Sequence, residues 1–194
     1  MVTKNIHVIS NVLEDSIIQV RKEEGNKIPD DNTFLLLEDS TFHNGIIEMD
    51  VKGSLLKSAD INDRGFIGFT FRVNEDNSEF ECFYIRPTNG NTEDPIRKQH
   101  GCQYFSYPGY TFAYFRKHDI LGYEAPIEGY IDKWFHLKGI IHNDTATFYV
   151  DGKETLSIKH LKHGDSKGKI GLYVDNGTDG YFKNISIINE DSAN

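Results

Sequence analysis

Two carboxylates stand two residues apart in the run Ile47-Glu48-Met49-Asp50-Val51-Lys52. On a strand such residues share a face about 6.6 Å apart. That spacing falls within the roughly 5–9.5 Å at which paired carboxyls flank a glycosidic bond as acid and base or nucleophile. Lys52 continues the row, so the alternative is a solvated strand surface. Tyr84 and Arg86 share a second polar face, opposite Phe83 and Ile85. If Phe83 and Ile85 fill a core, Tyr84 and Arg86 enter a cleft, joined by Arg72 from the neighbouring strand. A guanidinium offers bidentate hydrogen bonds to hydroxyls or carboxylates, and a ring offers a stacking platform. An arginine serving a ligand alone could be replaced at little cost in stability; one bonded to loop carbonyls could not. Glu81 lies by strict alternation on the Phe83 side. It is either a paired, buried carboxylate able to act as an acid, or part of a bulge that re-aims it.

The densest aromatic and polar stretch runs from Gln103 through Tyr104, Tyr107 and Tyr110 to Tyr114, Arg116, Tyr123 and Glu124. Flat rings beside amide, guanidinium and carboxylate groups are the residue types of a sugar site. The same tyrosines could equally fasten a long loop to the body of the protein. Metal chemistry through histidine is not expected. His136 and His142 share a strand face but lie about 20 Å apart, and His160 and His163 have no partner at ligand spacing. The oxygen-rich segment Asp175-Asn176-Gly177-Thr178-Asp179 reads as a turn or as a calcium loop. Cys82 and Cys102 match no zinc spacing and make no disulfide scaffold. No nucleophile elbow, His-Glu-x-x-His, phosphate loop or dinucleotide fingerprint occurs.

The elements that must carry these residues alternate with period two. Gly45–Gly53, Gly65–Val73, Ser78–Arg86, Trp134–His142, Thr145–Asp151, Gly168–Val174 and Tyr181–Ile188 read as strands. Asn74-Glu75-Asp76-Asn77, Asn143-Asp144 and Asp151-Gly152 are turn signals between them. Pro87–Tyr130 reads as longer loops with one or two strands, such as Thr111–Lys117. No stretch holds a 3.6-residue apolar period of helical length. The expected fold is all-β, a two-sheet antiparallel sandwich of the jelly-roll kind, as one domain over 1–194. A chain of 194 residues with net charge −9 suits neither nucleic acid nor an anionic membrane as main partner. It has no apolar run near the roughly 20 residues that span a bilayer. Met1–Asp15 shows no secretory pattern, which reads as a cytoplasmic protein or a secreted one whose leader has been removed.

Trp134-Phe135-His136-Leu137, followed by Thr147-Phe148-Tyr149-Val150-Asp151-Gly152, resembles a strand pair of laminin-G-like and other concanavalin A-like jelly rolls. Phe42-His43-Asn44-Gly45-Ile46-Ile47-Glu48 resembles their early strand. The ordered series Phe83-Tyr84-Ile85-Arg86-Pro87, Leu161-Lys162-His163-Gly164, Gly168-Lys169-Ile170-Gly171-Leu172 and Tyr181-Phe182 is similar to the bacterial 3-keto-disaccharide hydrolase-like group. The resemblance implies a jelly roll with a concave face, in a superfamily of carbohydrate binding and carbohydrate cleavage. It also implies a structural Trp134 and, from laminin-G-like relatives, calcium as a conceivable loop ligand. Laminarinase-type glucanases carry Glu-x-Asp-x-x-Glu where this chain has Glu48, Asp50 and then Gly53, so their second catalytic glutamate is missing.

The expected function is therefore recognition of a saccharide through Arg72, Tyr84, Arg86, Gln103, Tyr104, Tyr107, Arg116 and Tyr123. Cleavage is the alternative, with Glu81, Glu124 or Glu48 as acid or base and Arg86 or His100 orienting the sugar. A laminin-G-like protein-interaction module is the third.

Overall fold

The computed structural model describes residues 1–190. Seven strands, β1 (Thr3–Ile6), β4 (Phe34–Phe42), β6 (Ile67–Val73), β7 (Phe80–Ile85), β8 (Cys102–Tyr107), β9 (Glu124–Ala125) and β13 (Gly168–Val174), form one sheet in the order β1-β4-β13-β6-β7-β8-β9. The second sheet runs β12-β11-β10-β5-β14-β3-β2. It comprises β2 (Val8–Val12), β3 (Ile18–Lys22), β5 (Gly45–Leu55), β10 (Phe135–His142), β11 (Thr145–Val150), β12 (Lys153–Ile158) and β14 (Thr178–Asn189). Neighbouring strands are antiparallel, as in β6–β7 and β10–β11, whose pairing brings Phe69 opposite Phe83 and Gly139 opposite Phe148. The fold is the β-sandwich jelly roll that the period-two pattern predicts.

The two sheets differ in how their outer faces meet water, and that difference positions the site. In β5, Ile47, Met49 and Val51 are buried while Glu48, Asp50 and Lys52 are half-buried on the outer face. This is a strand wet on one side. The inner faces of both sheets share one core in which Phe83 of β7 stacks on Phe148 of β11, ring centroids 4.4 Å apart. Each such ring contributes about 2–3 kcal/mol by leaving water. In β6 and β7, by contrast, every residue is buried. Their outer face carries a second apolar cluster of Phe34, Phe80, Tyr84, Phe105 and Tyr173. The β3–β4 connection and the segment after β8 cover it. They are tied down where Phe112 N–H donates to Asp30 Oδ2 (2.8 Å) and Asp30 N–H donates to Asp175 Oδ2 (2.9 Å).

One expectation is corrected here. Thr111–Lys117 is not a strand; Phe112–Lys117 forms the short helix α2. Phe112 and Phe115 are three apart, so a helical turn brings them to one side, with Phe115 buried and Phe112 half-buried. Strands β1–β3, and β4 after them, precede the first strand that the period-two pattern marks, at Gly45. The edge strands bury little, β1 only Ile6 and β2 only Val8; β3 lies inside its sheet between β14 and β2 but buries the polar Gln19 and Lys22 beside Val20, so no apolar alternation marks it. A second short helix, α1 (Pro95–Lys98), starts at Asp94, whose carboxylate caps the N–H groups of Ile96 and Arg97. Among the described residues, no helix is long and apolar enough to cross a membrane.

Candidate functional site

A cavity of about 390 Å³ opens on the covered outer face of the β7 sheet. Its walls come from the β3–β4 connection (Lys27, Pro29, Asp30), the loop before β6 (Asn62–Phe66) and the ends of β7 and β13 (Tyr84, Arg86, Asp175, Asn176). The segments around α1 and α2 supply Asn89, Arg97, His100, Phe112 and Arg116. Gly177, at φ +65°, lets the Asp63 loop close against the β13–β14 turn; a Cβ there would strike the Asp63 carboxylate.

One hydrogen-bonded chain crosses this cavity. Tyr84 Oη donates to Asp30 Oδ1 (2.9 Å), and Arg86 Nη2 donates to Tyr84 Oη (2.8 Å) and Gln103 Oε1 (3.0 Å). Arg86 Nη1 donates to Glu124 Oε1 (2.6 Å) and to the His100 carbonyl (3.2 Å). Arg116 reaches both oxygens of Glu124 from the other side, at 2.7 and 3.2 Å. Arg116 also donates to His100 Nδ1 (3.1 Å), which puts the histidine proton on Nε2, 3.6 Å from Glu124 Oε2. Behind the chain, Lys22 Nζ is buried and bonded to Asp175 Oδ1 (2.8 Å) and Asn176 Oδ1 (2.8 Å). The rings of Phe66 and Phe112 supply the apolar wall, with the Arg116 guanidinium 5.0 Å from the Phe112 centroid.

The electrostatics divide the acids by role. Asp30 is 2% exposed, and burial together with the charge of Asp175 pushes its carboxyl up to about 6. The Phe112 N–H, Arg86 and Tyr84 oppose that rise. Glu124 goes the other way: burial raises it, but the hydrogen bonds and charges of Arg116 and Arg86 prevail and hold it below the usual carboxylate range. Burial, reinforced by Arg116 and Arg86, lowers His100 and favours its neutral form, with Glu124 opposing. Glu124 thus works as a fixed anion that orients two guanidiniums, and Asp30 is the carboxyl that can gain or lose a proton near neutrality.

The structure brings together part of the expected set. Tyr84, Arg86, His100 and Arg116 line the cavity; Gln103 and Glu124 stand behind Arg86 as its partners. The others lie elsewhere. Arg72, expected beside Tyr84, sits at φ +54° on a bulge against β13 and turns away. There its fully buried guanidinium donates to the carbonyls of His43 and Gly164 and to Asn44 Oδ1. Glu81 follows strict alternation to the inner face, where it accepts from Tyr104 Oη (2.7 Å) and from His163 N–H (2.9 Å). Tyr104 is therefore a core residue. Tyr123 stacks on Phe115, centroids 4.2 Å apart, and Tyr107 stacks on Phe80 at 5.0 Å. Glu81→Gln is expected to leave ligand affinity unchanged while lowering stability by about 1–3 kcal/mol, because its amide would face a donor. Paired melting and binding measurements check this; a loss of binding at unchanged Tm would return Glu81 to the site.

Glu48 and Asp50 occupy a wet outer face of the other sheet, paired with Lys138 Nζ (3.1 Å) and His136 Nδ1 (2.8 Å). The Asp175–Asp179 turn has its carboxylates committed to Lys22, the Asp30 N–H, Arg21 and Gln19. Among the described residues, no group of three His, Cys, Asp or Glu converges as metal ligands. Sequence reasoning missed Asp30, Phe112, Arg64 and Arg97. Only Asp30 left a trace, as Pro29-Asp30-Asp31 in a polar stretch.

Residues 4–188 match the model of a family described as 3-keto-alpha-glucoside-1,2-lyase-like domains. The chain belongs to that family. Compared with curated protein sequences, this member finds no match. Among solved structures it is similar to the carbohydrate-binding module CBM66 from Bacillus subtilis, at TM-score 0.67 and 17% identity, covering 94% of this chain and 92% of that one. A Bacillus subtilis protein of unknown function with a galectin-like fold superposes at TM-score 0.59 and 13% identity, covering 94% and 87%. At these identities the likeness is one of fold.

Proposed function

We propose that this member of the 3-keto-alpha-glucoside-1,2-lyase-like domain family binds a saccharide in the cavity around Arg86. The observation that carries the reading is the construction of that cavity: an Asp30–Tyr84–Arg86–Glu124–Arg116 chain, buried from Asp30 to Arg86 and opening to solvent at Arg116, beside two half-buried apolar rings. Saccharides present C–H faces and hydroxyls together, and such a site offers a surface to each. Fixed donors and acceptors lose little freedom on binding, so their contacts add to affinity. The fold shared with a carbohydrate-binding module supports the same reading. Phe112→Ala tests it. The substitution keeps the main-chain N–H that holds Asp30 and removes only a half-buried ring. It is expected to weaken binding about tenfold in glycan-array and calorimetric titrations, with Tm within a few degrees of wild type. Unchanged affinity for every glycan bound by the wild type would remove the cavity from the binding surface.

Cleavage is the second reading, favoured by Asp30, a cavity carboxyl raised to about 6 and hence suited to proton transfer near neutral pH. Its test is product release from oligosaccharides and 3-keto-glucosides, with loss of turnover in Asp30→Asn. Turnover retained in that variant would exclude Asp30 as the acid or base.

A further inference from the structure

The rim of the cavity holds two guanidiniums that the Asp30–Arg116 chain does not use. Arg64, before β6, donates through Nη1 to the carbonyls of Ile61 (2.6 Å) and Asp63 (3.0 Å). Arg97, in α1, donates through Nε to Asn89 Oδ1 (3.1 Å) and through Nη2 to Thr88 (3.3 Å). Both are therefore held in place by neutral acceptors, and both line the cavity. Neither has a carboxylate within ion-pair distance among the described residues, although every other cavity arginine does. The nearby acids are engaged elsewhere: Asp63 accepts the Asp60 N–H and Asp94 caps α1. Arg64 Nε and Nη2 and Arg97 Nη1 are left without an acceptor among the described residues.

Holding two like charges side by side, half out of water, is unfavourable in itself. Burial and then the charge of Arg97 lower the Arg64 guanidinium, with Asp63 and Asp94 opposing but not offsetting them. Ordering each long side chain has a further entropic cost. Both costs fall if an anion arrives between them, since a guanidinium fork matches the oxygens of a carboxylate, sulfate or phosphate. In a protein of net charge −9 this rim is a local exception to the general field.

We infer that the saccharide bound in the cavity carries an anionic group, recognised by the free N–H groups of Arg64 and Arg97. This inference rests on the saccharide-binding reading and narrows it to acidic sugars.

The test is an array carrying neutral glycans beside uronate-bearing, sulfated and phosphorylated ones, probed with the whole chain and with an Arg64→Gln/Arg97→Gln variant. Binding is expected to concentrate on acidic glycans and to weaken about tenfold or more in the variant, the loss of charge-assisted contacts. It should also weaken as salt is raised. The class of acidic glycan retained identifies the anion. Glutamine keeps a donor for the tethering carbonyls, and the two single variants, checked by melting, separate a folding defect from lost recognition. Neutral glycans bound equally well by both proteins would overturn the inference and leave saccharide binding standing. No glycan bound by the wild type would overturn both.

Discussion

Arg86→Ala is expected to abolish ligand binding and also to destabilise the fold by about 3–5 kcal/mol, the usual result of removing one partner from a buried ion pair. Arg86 is 5% exposed and donates four hydrogen bonds, to Glu124, Tyr84, Gln103 and the His100 carbonyl. Alanine leaves the Glu124 carboxylate, 15% exposed, with the more exposed Arg116 as its remaining ion-pair partner. It also leaves the Tyr84 hydroxyl and the Gln103 amide oxygen short of a donor in a buried site. For a domain of this size the loss corresponds to a fall in Tm on the order of 10 °C. Arg86→Lys restores a charge but not the fork, so it should recover part of the stability and little of the binding. Differential scanning calorimetry with a parallel glycan titration checks both. An alanine variant that melts within 2 °C of wild type would show that Arg86 serves the ligand alone.

Asp30→Asn should change the pH dependence of stability more than any other single substitution in the cavity. The Asp30 carboxyl has a folded pKa of about 6 against an ordinary value of 3.8. Between those two values the folded protein keeps its proton while the unfolded chain has lost it. Folded Asp30 thus binds more protons, and its contribution makes stability fall as pH rises through this window. Below about 3.8 the penalty is absent; above about 6 it is complete, at about 3 kcal/mol from 1.36 kcal/mol per pKa unit. Asparagine stays neutral throughout, can accept the Phe112 N–H with its oxygen and can donate to Tyr84 Oη. The variant should gain on wild type by roughly that amount as pH is raised from 4 to 7, read from denaturation midpoints at each pH. Parallel curves for the two proteins would mean that Asp30 is ionised across the whole range.

These effects meet at residues that differ sharply in how legible they were. Phe69, Phe83, Phe148 and Phe182 fall in the core on the faces that alternation picks out, since burying one face of a strand imposes a period of two on neighbouring residues. The same rule placed Tyr84 and Arg86 opposite Phe83 and Glu81 beside it. It failed at Arg72, where a left-handed residue reverses the alternation and nothing in Phe71-Arg72-Val73 announces the bulge. It was silent at Phe112, whose helix of six residues is too short to show a period. For the tyrosine-rich stretch the residue types allow a sugar site or a fastening for a long loop, and the rings of Tyr104, Tyr107 and Tyr123 fasten: Tyr104 and Tyr123 pack on the inner core, and Tyr107 packs on the outer cluster.

What the sequence determined by itself is the sandwich, because strand formation and the choice of buried face depend on residues one or two positions apart. It also determined family membership, because the motifs keep their order along the chain. The cavity belongs to the tertiary structure. Asp30 meets Tyr84, Phe112 and Asp175 across 54, 82 and 145 residues of chain. Burial at that meeting point and the charge of Asp175 raise its pKa against the hydrogen bonds from Phe112 and Tyr84, and Arg116 and Arg86 lower that of Glu124 by closing on it from two different elements. A carboxyl takes its charge state from the groups that surround it in space, and for these two acids the surroundings exist only once both loops have folded over the outer face of the sheet.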